Sequence, residues 1–163
     1  MKSVVIGVGT IILSVFVFLS VSDLKIYQRE HQDLKSVCEE LSATGALYVD
    51  MNAYAEGNMV FNHDDATLAI QEQLKSLLST DDSFTPLPNS YWRDDIDYKI
   101  YFWDDSNSTF PCLFTDPDTG YTVTLSNPAV IVTINAGSGR FHFPEISGAG
   151  NAVRTASHEW QQY

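Results

Sequence analysis

Residues 4–22, VVIGVGTIILSVFVFLSVS, run for nineteen positions without a charge and pass directly into DLKIYQREHQDLKSVCEELSATGALY at 23–48. At 1.5 Å per residue, the apolar run just crosses a hydrocarbon core of about 30 Å. Beyond it, Leu24, Tyr27, His31, Leu34, Cys38, Leu41, Gly45 and Tyr48 recur in steps of three and four. That spacing places them on one face of a helix. One hydrophobic rod is therefore expected to leave a membrane and become the inner face of an amphipathic stem.

Two fates compete for the apolar start. Ser20-Val21-Ser22 before Asp23 has the small-x-small form of a signal-peptide cleavage site. Against cleavage, the run exceeds the roughly 7–15 residues of a signal core, and no turn former interrupts the helical pattern at that point. The expectation is an uncleaved single-pass anchor over 1–22, in the cell membrane, with an extracytoplasmic domain over 23–163. The hydrophilic bulk of the later chain favours an inward amino terminus, although Lys2 faces Lys25, Arg29 and Lys35 across the span. Carried backwards, the seam meets Ile6, Thr10, Leu13, Val17 and Ser20. Small and hydroxyl residues on such a stripe suit lateral helix packing in a membrane, and they are also common in spans that pack on nothing.

A proline-free helix is expected over 23–56, ended by Glu56-Gly57-Asn58, with a kink at Gly45. Unbroken from residue 4, it would span roughly 80 Å. The stem seam (Leu24, Tyr27, Leu34, Cys38, Leu41) packs either on the protein's own domain or on a second copy. With about three heptads and the poor core residues His31 and Gly45, its own domain is favoured. Asn62 or Asp64 caps a second helix over 64–78, with Ala66, Ala69, Ile70, Leu74, Leu77 and Leu78 on its apolar face.

From Tyr91 the period changes to two. Ile96, Tyr98, Ile100 and Phe102 alternate with Asp97, Lys99 and Tyr101, as in a half-buried strand. Further strands are expected at 109–114, 121–125 and 129–135. A turn at 136–139 should lead into another at 140–143, and the segment 151–160 reads as either strand or short helix. Helices first and strands afterwards give an α+β fold, with an antiparallel sheet over 96–160 laid against the stem.

The sequence holds 21 Asp and Glu against 9 Lys and Arg; setting Lys2 aside with the anchor leaves 8 basic residues and a formal net charge of −13 beyond residue 22. Such a surface repels nucleic acid and anionic headgroups, so no nucleic-acid partner is expected. Cys38 and Cys112 are either one disulfide, tying the stem to the later chain, or two free thiols.

Catalytic patterns are sparse. His158-Glu159-Trp160-Gln161-Gln162 opens like a zinc-peptidase motif, but Gln162 stands where the second histidine would be. Asp116 and Asp118, two apart before Gly120, are the one candidate calcium pair, and a solvated turn is the plainer expectation. The pairs Asp94-Asp95 and Asp104-Asp105 read as strand-end solubilisers. Asn107-Ser108-Thr109 is a glycosylation sequon, meaningful only in a eukaryotic secretory host. His31, His63, His142 and His158 fall in different elements, with no Gly-x-Ser-x-Gly elbow. Arg140 and Arg154 are expected to be paired structurally. No cofactor, no resident metal and no enzymatic activity are expected.

The plan resembles pilin-like architecture, and within it the small TadE-type pseudopilins of tight-adherence pili. The leader at 1–22, the run LKSVCEELSATGALY at 34–48 and the late strand PAVIVTI at 128–134 carry the resemblance. It implies a lollipop fold, a place in pilus assembly, and partners among pilus or envelope proteins met through the N-terminal helix. Pilin precursors usually carry glycine before the processing site and glutamate as the fifth residue after it. Here the fifth residue from Gly9 is Ser14, and from Gly7 it is Ile12, so the resemblance extends to a minor subunit rather than a processed major one. The alternative is a tethered accessory or ligand-binding domain of a membrane complex.

Overall fold

The computed structural model describes residues 2–142 and 150–161. A single helix, α1 (Lys2–Gly45), carries the apolar run and the stem without a break. At 1.5 Å per residue it is about 66 Å long. Its outer half packs on the strands and on a second long helix, and Leu34, Cys38 and Leu41 are buried there.

The stem ends sooner than expected. Gly45 is the last residue of α1, and its backbone sits against the packed core: a Cβ there would lie 2.7 Å from Ile70 Cδ1 and 3.0 Å from Val130 Cγ1. The chain then turns and forms a short bridge, Val49 opposite Phe61. Asp50 accepts the N–H groups of Asn52 and Ala53 and so starts a separate short helix, α2 (Met51–Ala55). The stop at Gly57, with φ +92°, is real, but it ends α2 rather than the stem. Asn62 caps α3 (His63–Leu78) by accepting the Asp65 N–H. Ala66, Ile70, Leu74 and Leu78 form its buried face, while Leu77 of the expected set is exposed.

Among the described residues five strands follow: β1 (Asp97–Trp103), β2 (Cys112–Thr115), β3 (Thr122–Leu125), β4 (Ala129–Asn135) and β5 (Val153–Glu159). They make two antiparallel sheets rather than one. The larger has the order β1-β4-β5, and β2 pairs with β3 in the smaller. Central β4 is nearly continuous in apolar residues because both its faces are covered. Val130, Val132 and Ile134 join the core under α1 and α3. Ala129 and Ile131 join a second cluster under the β2-β3 hairpin with Phe114 and Leu125.

The same division explains β1. Tyr98, Ile100 and Phe102 face the helices as the alternation indicates. Tyr101 and Trp103, on the face read as solvated, pack under the hairpin. The expected hairpin at 136–139 is corrected: Ala136 N–H donates to Ala152 and Ala152 N–H to Gly137, so β4 pairs with β5. Gly139 instead bridges Trp92, and Phe143 of that expected strand lies outside the described residues.

Candidate functional site

The largest contrast in the molecule runs along α1. On its first half, Ile6, Leu13 and Val17 are 69%, 62% and 51% exposed. On its second, Leu34 is 1% exposed and Leu41 not at all. An apolar half-helix bare of protein, continuous with a half that is the core of a domain, requires an apolar medium or an apolar partner. The described helix is long and apolar enough to cross a membrane.

Ile6, Thr10, Leu13, Val17 and Ser20 all lie on the bare half. The Thr10 hydroxyl donates to the Ile6 carbonyl at 2.9 Å and the Ser20 hydroxyl to that of Phe16 at 3.0 Å. Their polar atoms are thus satisfied within the helix, and what the stripe offers a neighbour is shape. Leu24 is corrected out of the stem seam: at 48% exposed it takes no part in the hydrophobic core, which along α1 begins at Tyr27.

Where the bare half meets the domain, Asp23 is buried and accepts two bonds from one residue. The His142 N–H donates at 2.8 Å, and His142 Nδ1 lies 2.6 Å from the other carboxylate oxygen. Tyr27 packs on Phe141 beside this clamp. Burial raises the Glu30 carboxyl above its ordinary range, and the neighbouring Asp33 adds to it. Burial, with Glu30, Asp23 and Tyr27 nearby, pushes the Tyr91 phenol up to about 12. Burial also lowers His31, with Arg154 adding to the effect. A cleft of about 320 Å³ opens here, lined by Glu30, Asp33, Leu34, Ser90 and Trp92 among others.

The candidate calcium pair is not assembled. Asp116 is fully buried, not solvated. Its Oδ2 accepts the hydroxyls of Thr133 at 2.7 Å, Thr119 at 2.8 Å and Thr155 at 3.0 Å. Burial alone would raise this carboxyl, but those bonds and the Asp118 N–H outweigh it and hold the group below its ordinary range. Asp118 points elsewhere and pairs with Lys99. The buried carboxylate pins the hairpin to β4 and β5. Among the described residues no group of three or more His, Cys, Asp or Glu side chains is placed to hold a metal ion.

Asp104, expected at the surface, is also fully buried. It accepts the N–H groups of Phe61 at 3.2 Å and Ser106 at 3.0 Å and lies 3.2 Å from His63 Nε2. These bonds offset burial and keep its carboxyl low. His63 stacks on Phe102, and Ser108 lines the same groove with its hydroxyl buried and unpartnered. An Asp-His pair with a nearby serine is the nearest approach to catalytic geometry, but the serine hydroxyl makes no bond to the imidazole. Sequence reading missed both buried carboxylates. The one available signal was a following Ser or Thr two or three residues on, able to bond back into the turn.

The remaining candidates serve the fold. Cys38 and Cys112 are free thiols rather than a disulfide, because Cys38 belongs to the core under the helices and Cys112 to the cluster under the hairpin. Glu159 accepts the N–H groups of Ser126 and Asn127. Arg140 donates to the carbonyls of Trp92 and Leu87, and Arg154 to that of Val153, so both find backbone partners. Comparison of the chain with protein families, with curated proteins and with solved structures returns no match.

Proposed function

We propose that this is a non-enzymatic, single-pass membrane protein whose extracytoplasmic α+β domain takes part in pilus assembly, as a minor pilin-like subunit or an assembly component of the cell envelope. One observation carries the reading. The same unbroken helix is bare and apolar over its first half and is the core of the domain over its second. A domain needing only an anchor gains nothing from a stem rigidly continuous with the span, whereas a subunit that packs laterally transmits its membrane position to the domain.

The packing stripe is Ile6, Thr10, Leu13, Val17 and Ser20, and its partners are other pilus or envelope proteins. The −13 domain projects away from the anionic bilayer surface, which repels it. Cysteines placed at Leu13 and Val17 should crosslink to envelope or filament proteins or to a second copy. Exchanging residues 4–22 for an unrelated span should abolish both the adducts and assembly. If the exchanged protein works unchanged, the helix is only a tether, and the domain is an accessory or ligand-binding module.

A further inference from the structure

We propose that the outer edge of β1 is a strand-addition site for an extended, basic segment of another polypeptide. In the register of β1 on β4, the odd-numbered residues of β1 turn their backbone groups to β4 and the even-numbered ones turn theirs outward. At one end, the Ile96 N–H donates outward to the Phe84 carbonyl. At the other, the Phe102 carbonyl accepts from Asn107 Nδ2 at 2.8 Å. Between them, among the described residues, both backbone groups of Tyr98 and of Ile100 and the N–H of Phe102 have no hydrogen-bond partner in the protein. The window is about 16 Å long at strand spacing.

A groove of about 450 Å³ follows this edge, and four consecutive residues, Ile100 to Trp103, line it. His63, Asn107 and Ser108 complete its lining. The unpartnered Ser108 hydroxyl is a further bonding group in it. An added strand would complete this backbone ladder, which is the chemistry of strand addition. The pleat sets the side chains. One face meets Ile100 and Phe102 beside His63, calling for apolar residues. The other meets Tyr101 and Lys99, which is already paired with Asp118, with Asp97 at the start of the strand. Four exposed carboxylates sit next to the window in the chain: Asp97 on β1 itself, Asp95 just before the strand, Asp105 just after it, and Asp64 next to the lining His63, so the segment is basic. A second copy would bring another −13 domain against the first and is disfavoured.

The site does not depend on the pilus reading, because it lies on the sheet and needs only the folded domain. The test uses the full chain in detergent micelles and follows backbone amide exchange. A blocked peptide of alternating lysine and valine should slow exchange at Ile100 and Phe102 about tenfold, with the effect weakening as salt rises. The same peptide N-methylated at alternate residues, and an alternating glutamate-valine peptide, should leave both amides unchanged. The proposal is overturned by no protection from the lysine-valine peptide or by equal protection from either control. It is also overturned by protection at the outward amides of β5, Thr155 and Ser157, instead, or by protection that grows with protein concentration alone, which would make a second copy the occupant.

Discussion

Thr133, in the middle of β4, donates its hydroxyl at 2.7 Å to a carboxylate of Asp116 that is buried beneath the β2-β3 hairpin. Threonines from β4, β5 and the hairpin turn converge on that one oxygen, and the Tyr121–Ser157 and Lys99–Asp118 contacts join the hairpin to the sheet beside it. Asp116→Ala should lower stability by about 2–3 kcal/mol, the scale for losing a buried hydrogen-bonded charge. The loss is limited because Thr155 is also 2.9 Å from Thr133 and 3.1 Å from Thr119, so the hydroxyls can satisfy one another. The pH dependence has a definite sign. The folded carboxyl lies below its ordinary value of 3.8, so its stabilisation is complete above that value and is lost as pH falls through the folded one. Urea unfolding at neutral and acid pH should therefore show wild type and Asp116→Ala converging at the acid end.

The α+β order and the rod are legible in the sequence because each rests on a periodicity sustained over many residues. The two buried carboxylates are not, since Asp104 and Asp116 sit in turn-like contexts with the same composition as solvated loops. What buries them is tertiary: Asp104 is closed in by Phe61 and His63, and Asp116 by the hairpin, which folds over the face of β1 that alternation marks as exposed and over β4. The same event hides Tyr101 and Trp103. The close approach at Gly45 is likewise made by Ile70 and Val130, residues distant in sequence, although glycine itself marks the place. Asp50 was readable as a helix cap, but the uninterrupted seam from Leu41 to Tyr48 concealed the break before it.

Gly45→Ala tests the close approach at that break. The added methyl meets Ile70 Cδ1 and Val130 Cγ1 inside the contact distance, and overpacking of this kind costs about 1–3 kcal/mol. Ile70→Val removes the nearer atom. In a double-mutant cycle by urea unfolding, the pair should destabilise by less than the sum of the single changes. Strict additivity would mean that the methyl is accommodated without touching Ile70.

The thiols should react unequally. Burial pushes Cys38 up to about 12, so at mildly alkaline pH it is a thiol with almost no thiolate and no access to reagent. Cys112 is raised by burial and then by Glu159, but it is only half-buried. Iodoacetamide should therefore label Cys112 slowly in the folded protein and Cys38 only after denaturation. The unlabelled mass under non-reducing conditions should be that of two free thiols. A native mass lower by two hydrogens would contradict the placement of the cysteines in separate clusters.

The clamp where the bare half of α1 meets the domain has a graded prediction because its two bonds come from different parts of His142. His142→Ala removes the imidazole but keeps the backbone N–H, which still reaches Asp23 at 2.8 Å. Asp23→Ala removes both acceptors at once, and Asp23→Asn keeps one carbonyl oxygen for one donor. Exchange at the residue-142 amide should rise about tenfold or more in Asp23→Ala and much less in His142→Ala, with Asp23→Asn between them. The half-exposed imidazole contributes little to global stability, on the order of 1 kcal/mol or below, so the readout has to be local. Equal effects from Asp23→Ala and His142→Ala would place the holding force in the ring alone. If the ordering stands, a buried carboxylate next to the bare half of α1 fixes His142, far along the chain, to the helix through its backbone. Any lateral force on the span then reaches the domain at that point.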